Sequence, residues 1–148
     1  MAAALVAAGY AGFRFNECLG TDLVLAREPA SVALTWLQTL NSKRTPAVLI
    51  MIGLSLGSGL LAVVLTRQRR PALVGLSLLL VEDVLTAAVH IPLALRLQSL
   101  APDAVPPEWE WLRARYLFDD VSRTALLVGA AIAFAAAGFR NMHTERPS

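Results

Sequence analysis

The stretch from Pro46 to Thr66 carries no charged residue and consists of apolar or small side chains with a few hydroxyls. A helix needs about 20 mostly apolar residues to cross a hydrocarbon core about 30 Å thick, and this run has that length. Inside lipid its backbone N–H and C=O groups find no water, so only a helix satisfies them along one segment. Whatever else the chain forms must pack beside a membrane helix.

The remaining sequence is of the same kind. Hydrophobic residues make up 56% of the 148 positions and charged ones 16%, with a mean hydropathy of +0.57, which is too apolar for an ordinary soluble domain. Further spans are expected at about 2–25, 72–97 and 116–139, the last having its apolar part from Val121 to Phe139. Together with 46–66 they use nearly all of the chain, so the expected fold is all-α, a single-domain four-helix transmembrane bundle. The apolar N-terminal run has no basic n-region, and its helical pattern continues through Arg14 to Leu25. It reads as a retained first span rather than a secretory signal.

The connections have their own signatures. Arg27, Glu28 and Pro29 end the first span. From Ala30 to Asn41, Val32, Trp36 and Leu40 recur at fourfold spacing with Thr35, Gln38 and Thr39 between them, which predicts a short amphipathic helix at the interface. Gly53 and Gly57, with Ser55 and Gly59 beside them, form a small-residue face on the second span where a neighbouring helix, or a second copy in a homo-oligomer, can approach closely. Arg67, Arg69, Arg70 and Pro71 make a tight basic turn. Pro102, Pro106 and Pro107 mark an extended linker, and Trp109 and Trp111 stand where interfacial anchors belong. The dense Arg67–Arg70 turn places both termini on the cytoplasmic side of what is expected to be a bacterial inner membrane.

Several function classes are excluded. A net charge of +2 with Lys43 as the only lysine is no nucleic-acid footprint. Cys18 is alone, so neither an internal disulfide nor a Cys-x-x-Cys relay exists. His90 is the only histidine in a span, His143 lying in the tail, and no Glu-x-x-His pair accompanies it. With no phosphate-binding loop, haem motif or serine elbow, no cofactor and no metal is expected.

The informative residues are the ionisable ones inside the spans: Arg14, Glu17 and Asp22 in the first, Glu82, Asp83 and His90 in the third, Asp120 and Arg123 in the fourth. Each charge at mid-helix costs roughly 2.5–3.5 kcal/mol, so they must face one another or water. Helical spacing places Tyr10, Arg14, Glu17 and Thr21 on one stripe, with Asn16 and Asp22 beside it. Asp83, Thr86 and His90 form a second stripe with Glu82 on its flank, and Tyr116, Asp120 and Arg123 a third. Three polar stripes imply a polar pocket between helices. Arg14 with Glu17, and Asp119 with Arg123, also read as structural ion pairs. Asp22 and Arg96 snorkel at span ends. His90 reads equally as a core histidine bonded to Asp83 or as a catalytic group, whereas adjacent Glu82 and Asp83 in an apolar run point to function.

At these positions the chain resembles the small four-helix membrane proteins that include the anthrone oxygenases, cofactor-independent enzymes of polyketide tailoring. Gln38 and Asn41 match a Gln-x-x-Asn element after the first span. Pro92 and Leu93 match the centre of an Asn-x-Pro-Leu-Asn element whose asparagines are here His90 and Ala94. Arg123 and Thr124 match an Arg-Thr pair entering the last span, where Tyr116, Asp120 and Val121 replace a Trp and an Asn-His pair. The resemblance implies a membrane-embedded pocket, and the replacements make it more acidic, suited to moving protons.

The expected function is therefore an intramembrane enzyme acting by acid–base chemistry on a small lipophilic, polyketide- or terpenoid-like substrate, by cofactor-free oxygenation or by cyclisation or isomerisation. Asp83 is the expected proton-transfer group, with His90 as its partner, Arg123 as charge stabiliser and Glu82 and Asp120 as further acids. Asn16, Glu17, Gln38, Asn41, Thr86 and Tyr116 are the expected substrate-binding residues. Two other classes fit the same residues: a proton-coupled transport component, and an assembly protein whose charges meet a partner's helices.

Overall fold

The computed structural model describes residues 2–144, the side chains of Glu17, Cys18, Leu23 and residues 41–46 and 140–144 being outside that description. The described chain is helical apart from short connections, with no strand among the described residues. It forms four rods. The first is α1 (Ala2–Glu17), a π-helical turn at Cys18–Asp22 and α2 (Leu23–Arg27). The second is α3 (Ala30–Leu65). The third is α4 (Arg69–Leu85), a π turn at Thr86–His90 and α5 (Ile91–Gln98), and the fourth is α6 (Trp109–Thr144). Three helices are long and apolar enough to cross a membrane: Ala47–Leu65, Arg69–Gln98 and Trp109–Phe139.

Short links force consecutive rods to run antiparallel. Glu28 and Pro29 separate the first two, Pro29 being unable to extend the helix before it. The link between the second and third is closed by Thr66, whose hydroxyl accepts the Gln68 N–H at 3.2 Å. Each rod packs on its chain neighbour, and α6 closes the ring by packing on α1 as well as α4.

The segment expected to be a separate interfacial helix is not separate. Ala30–Leu65 is one 36-residue helix, and it continues through Pro46. At 1.5 Å per residue it is about 54 Å long, well over the hydrocarbon thickness, so its first half extends past the apolar run and needs no break to leave the membrane. The face it buries against the other rods is not the Val32 and Trp36 stripe. Ala33, Leu34 and Leu37 are buried, whereas Val32 and Trp36 are exposed. Gln38 is fixed by a different duty: its Nε2 donates to the carbonyls of Leu97 at 3.2 Å and Leu100 at 2.8 Å, capping the end of the third rod, where helix carbonyls have no internal donors.

Two apolar clusters occupy opposite ends of the ring. Leu25, Leu34, Leu37, Leu93, Leu97, Trp109 and Leu112 fill the end near the 99–108 linker. Ala3, Ala7, Tyr10, Leu79, Leu127 and Phe134 fill the other. Phe134 is the wedge of that second cluster. A Cβ at Gly75 would stand 3.0 Å from its ring and one at Gly59 3.1 Å, so these two glycines let α3 and α4 close onto α6. Gly53 and Gly57, expected to make the tight approach, instead have nothing within 4 Å of an added Cβ and face outward. The small-residue face is thus displaced within the chain, and Gly53 and Gly57 contact no neighbouring rod.

Gly75→Ala should lower stability by about 1–3 kcal/mol through overpacking against Phe134, and Phe134→Leu should restore part of the loss. Gly53→Ala should be neutral or mildly stabilising. Thermal unfolding in detergent micelles measures all three, and equal destabilisation by Gly53→Ala and Gly75→Ala would contradict the assignment.

Candidate functional site

Between the two apolar clusters lies a layer of charge. Arg14 falls midway along the first rod, Glu82 and Thr86 midway along the third, and Arg123 midway along Trp109–Phe139. Equal depth on antiparallel rods brings these groups together.

Arg123 is the centre of the layer and is fully buried. Its Nε donates to Glu82 Oε1 at 2.9 Å, and its Nη1 lies 3.7 Å from Asp119 Oδ2 and 3.9 Å from Asp120 Oδ1. Glu82, also fully buried, accepts a second hydrogen bond on Oε1 from the Thr86 hydroxyl at 3.0 Å. Arg14 Nη2 donates to Asp120 Oδ1, joining the first rod to the fourth. His90 Nδ1 lies 2.8 Å from Asp119 Oδ2, and its ring sits beside Tyr116 with centroids 5.3 Å apart. Buried charges without such partners would cost several kcal/mol each, so the mutual satisfaction explains how they coexist with lipid-length helices.

The charges nearly balance. Among the described residues, the buried layer sets the guanidinium groups of Arg14 and Arg123 against the carboxylates of Glu82, Asp119 and Asp120.

The expected site residues divide. Glu82, Thr86, His90, Asp120 and Arg123 are brought together, and Tyr116 adjoins them. Asp83 stands half-buried on the flank beside Glu82, the reverse of the expected arrangement. The physical reason is the π turn: Ile91 N–H bonds to Thr86 O, an i→i+5 step that widens the helix, so that Glu82, Thr86 and His90 share one face at fourfold spacing. Pro92, lacking an N–H, immediately follows and favours such a local departure from α geometry. Asn16 is exposed, outside the layer, and Gln38 is at the linker end. The side chains of Glu17 and Asn41 lie outside the described residues.

Two partnerships were not visible in the sequence. Arg14 bonds to Asp120, 106 positions away, and Asp119 bonds to His90 in preference to Arg123. Asp119 has a second role. A groove of about 510 Å³ opens sideways between the third and fourth rods, and Asp119 lines it together with Leu85, Val89, Trp111, Arg115 and Phe118. This carboxylate therefore borders both the buried layer and the groove. Among the described residues no group of three His, Cys, Asp or Glu side chains is disposed to hold a metal ion.

The chain is thus an all-helical protein, with three helices long and apolar enough to cross a membrane, built around a buried ionic layer. Compared with family models, curated proteins and solved structures, it matches none.

Replacing Arg123 by Met should destabilise the protein by roughly 3–5 kcal/mol, because Glu82 and the two aspartates lose their central cation. The double variant Glu82→Leu with Arg123→Met should recover part of that loss. Denaturant titration in mixed micelles checks both, and a cost for Arg123→Met near zero would show that the layer contributes nothing to folding.

Proposed function

We propose that this protein is a multi-pass membrane enzyme that moves protons on a small lipophilic substrate reaching it from the bilayer. The first rod inserts as a fourth span, since Arg14 at its midpoint finds Asp120 on the fourth rod and the face around Tyr10 packs in the same apolar cluster as Phe134. The observation that carries the reading is the position of Asp119: hydrogen-bonded to His90 on one side, and lining a laterally open groove on the other.

In the proposed chemistry Asp119 takes a proton from an activated C–H or O–H of the substrate. His90 holds the compensating proton of the pair, and the fixed charge of Arg123, 3.7 Å from Asp119, stabilises the carboxylate-rich layer as charge moves. Returning the proton to another atom of the substrate completes an isomerisation or cyclisation. If the carbanion instead meets dioxygen as the oxidant, the outcome is cofactor-free oxygenation, as the resemblance to anthrone oxygenases implies. Residence in a bacterial inner membrane with cytoplasmic termini, and self-association through the outward-facing Gly53 and Gly57, belong to the same proposal.

Solvent hydrogen exchange tests the chemistry without knowledge of the native substrate. Protein in phosphatidylcholine nanodiscs, in deuterated buffer, should speed deuterium uptake next to the carbonyl of lipophilic ketones such as 9-oxododecanoate, read by mass spectrometry. Asp119→Asn should reduce the rate by about a hundredfold to ten-thousandfold, and His90→Ala comparably, with Asp83→Asn near normal. Variants at Asp119 and His90 that exchange like the unmodified protein would sink the assignment. Protein-dependent collapse of a proton gradient in liposomes, without ketone exchange, would favour the transport reading.

A further inference from the structure

The groove beside Asp119 has a polar end that the buried layer does not use. Arg115 and Trp111 stand at the linker end of α6, Phe118 and Asp119 lie a turn deeper, and Ser122 deeper still. The walls between are Leu85, Val89 and Ala114, so the groove is apolar along its length. Arg115 stacks over the Trp111 ring at 5.2 Å and, among the described residues, forms no ion pair with a carboxylate, unlike Arg96 with Glu108 or Arg113 with Glu110 at the same end. An exposed cation on an aromatic platform, at the mouth of an apolar groove with a carboxylate inside, selects its occupant by charge. A neutral lipid tail fits the walls but leaves the guanidinium unused, and a cation is repelled at the mouth.

We propose that the groove binds a single-chain acidic amphiphile, its anionic head on Arg115 and its chain running inward past Asp119 toward Ser122. Arg115 and Asp119 are four residues apart on one helix, and the guanidinium leans back over Trp111, a further turn away, so the atom presented to Asp119 lies roughly two turns of rise, about 11 Å, from the acidic head. From Trp111 to Ser122 the groove follows about 16 Å of helix, room for a chain of medium length. The ligand class is therefore an acid whose second polar or activated position lies well along the chain, past its middle, from the head. This rests on the reading of Asp119 as the group that meets substrate, but binding can be measured without any turnover.

The probe is 2-bromododecanoate, whose bromine, on the carbon next to the carboxylate, comes beside Trp111 when the head is on Arg115 and quenches tryptophan at contact. A variant with Trp36→Phe and Trp109→Phe keeps Trp111 as sole fluorophore, and it is titrated in phosphatidylcholine nanodiscs. Saturable quenching is expected. Arg115→Gln should weaken the apparent affinity about tenfold or more, the loss of one charge-assisted hydrogen bond, while Arg115→Lys retains most of it. Ala114→Phe should abolish saturation by filling the groove, and because Arg115 is exposed, its variants test the proposal even should Ala114→Phe fold poorly. Quenching that rises in proportion to probe in the bilayer, unchanged by Arg115→Gln, would mean partitioning into bulk lipid and would overturn the proposal. So would equal binding of 2-bromododecan-1-ol, or quenching by brominated phosphatidylcholine that dodecanoate fails to displace, which would make the occupant a neutral chain or a bilayer phospholipid. Saturable, Arg115-dependent binding without ketone exchange would leave the site standing and remove the enzyme reading. Ketone exchange that is lost in Asp119→Asn but indifferent to Arg115 would do the opposite.

Discussion

The Arg123 guanidinium decides how this molecule is put together. It is fully buried at the middle of α6, and the acids around it come from two rods: Glu82 from the third and Asp119 and Asp120 from its own. A lone guanidinium at that depth is strongly disfavoured, so the third rod must dock on the fourth in the rotation and at the height that present Glu82 to Nε. Asp120 in turn holds Arg14, which sets the rotation of the first rod. Apolar contacts alone leave helices in lipid free to slide and turn, because lipid tails compete equally for apolar side chains. The ionic layer removes that freedom, and the apolar clusters at either end then pack around a register already chosen.

The second rod is the exception that clarifies the rule. It brings no charge to the layer and is held by shape: Gly59 and Gly75 admit the Phe134 ring, and Gln38 ties it to the end of the third rod. Two modes of membrane helix association therefore coexist in one small chain, directional polar contacts on three rods and close packing at glycine on the fourth partner.

Much of this was legible from the amino acids, and the misses share one cause. The apolar run at 46–66 corresponds to a membrane-length helix at Ala47–Leu65, and the runs at 72–97 and 116–139 fall inside Arg69–Gln98 and Trp109–Phe139. Hydropathy needs no partner, so it can be read locally. Arg14, Glu82, Asp120 and Arg123 were likewise legible as buried charges from their cost, whereas Asp119, buried as well, was read only as a partner for Arg123. Their pairing was not legible, because it depends on helix rotation, and helical periodicity was carried unchanged across the Thr86–His90 π turn. That turn exchanged the roles of Glu82 and Asp83. The same dependence on a partner surface hid the choice of Gly75 over Gly53, for only the position of Phe134 distinguishes them. The break expected after Asn41 followed a change in polarity, and a helix that leaves lipid for water can cross such a change intact.

The bond between Arg14 and Asp120 spans 106 positions of the chain. During synthesis the first rod leaves the ribosome long before Asp120 exists, and Asp120 belongs to the last rod to emerge. The cross-rod bond at the heart of the ring can therefore form only after every intervening rod has been made. Until then the first rod waits for the partner that fixes its rotation. The ring is for that reason completed by α6, and a chain interrupted ahead of it lacks the rod on which both the first and the third pack.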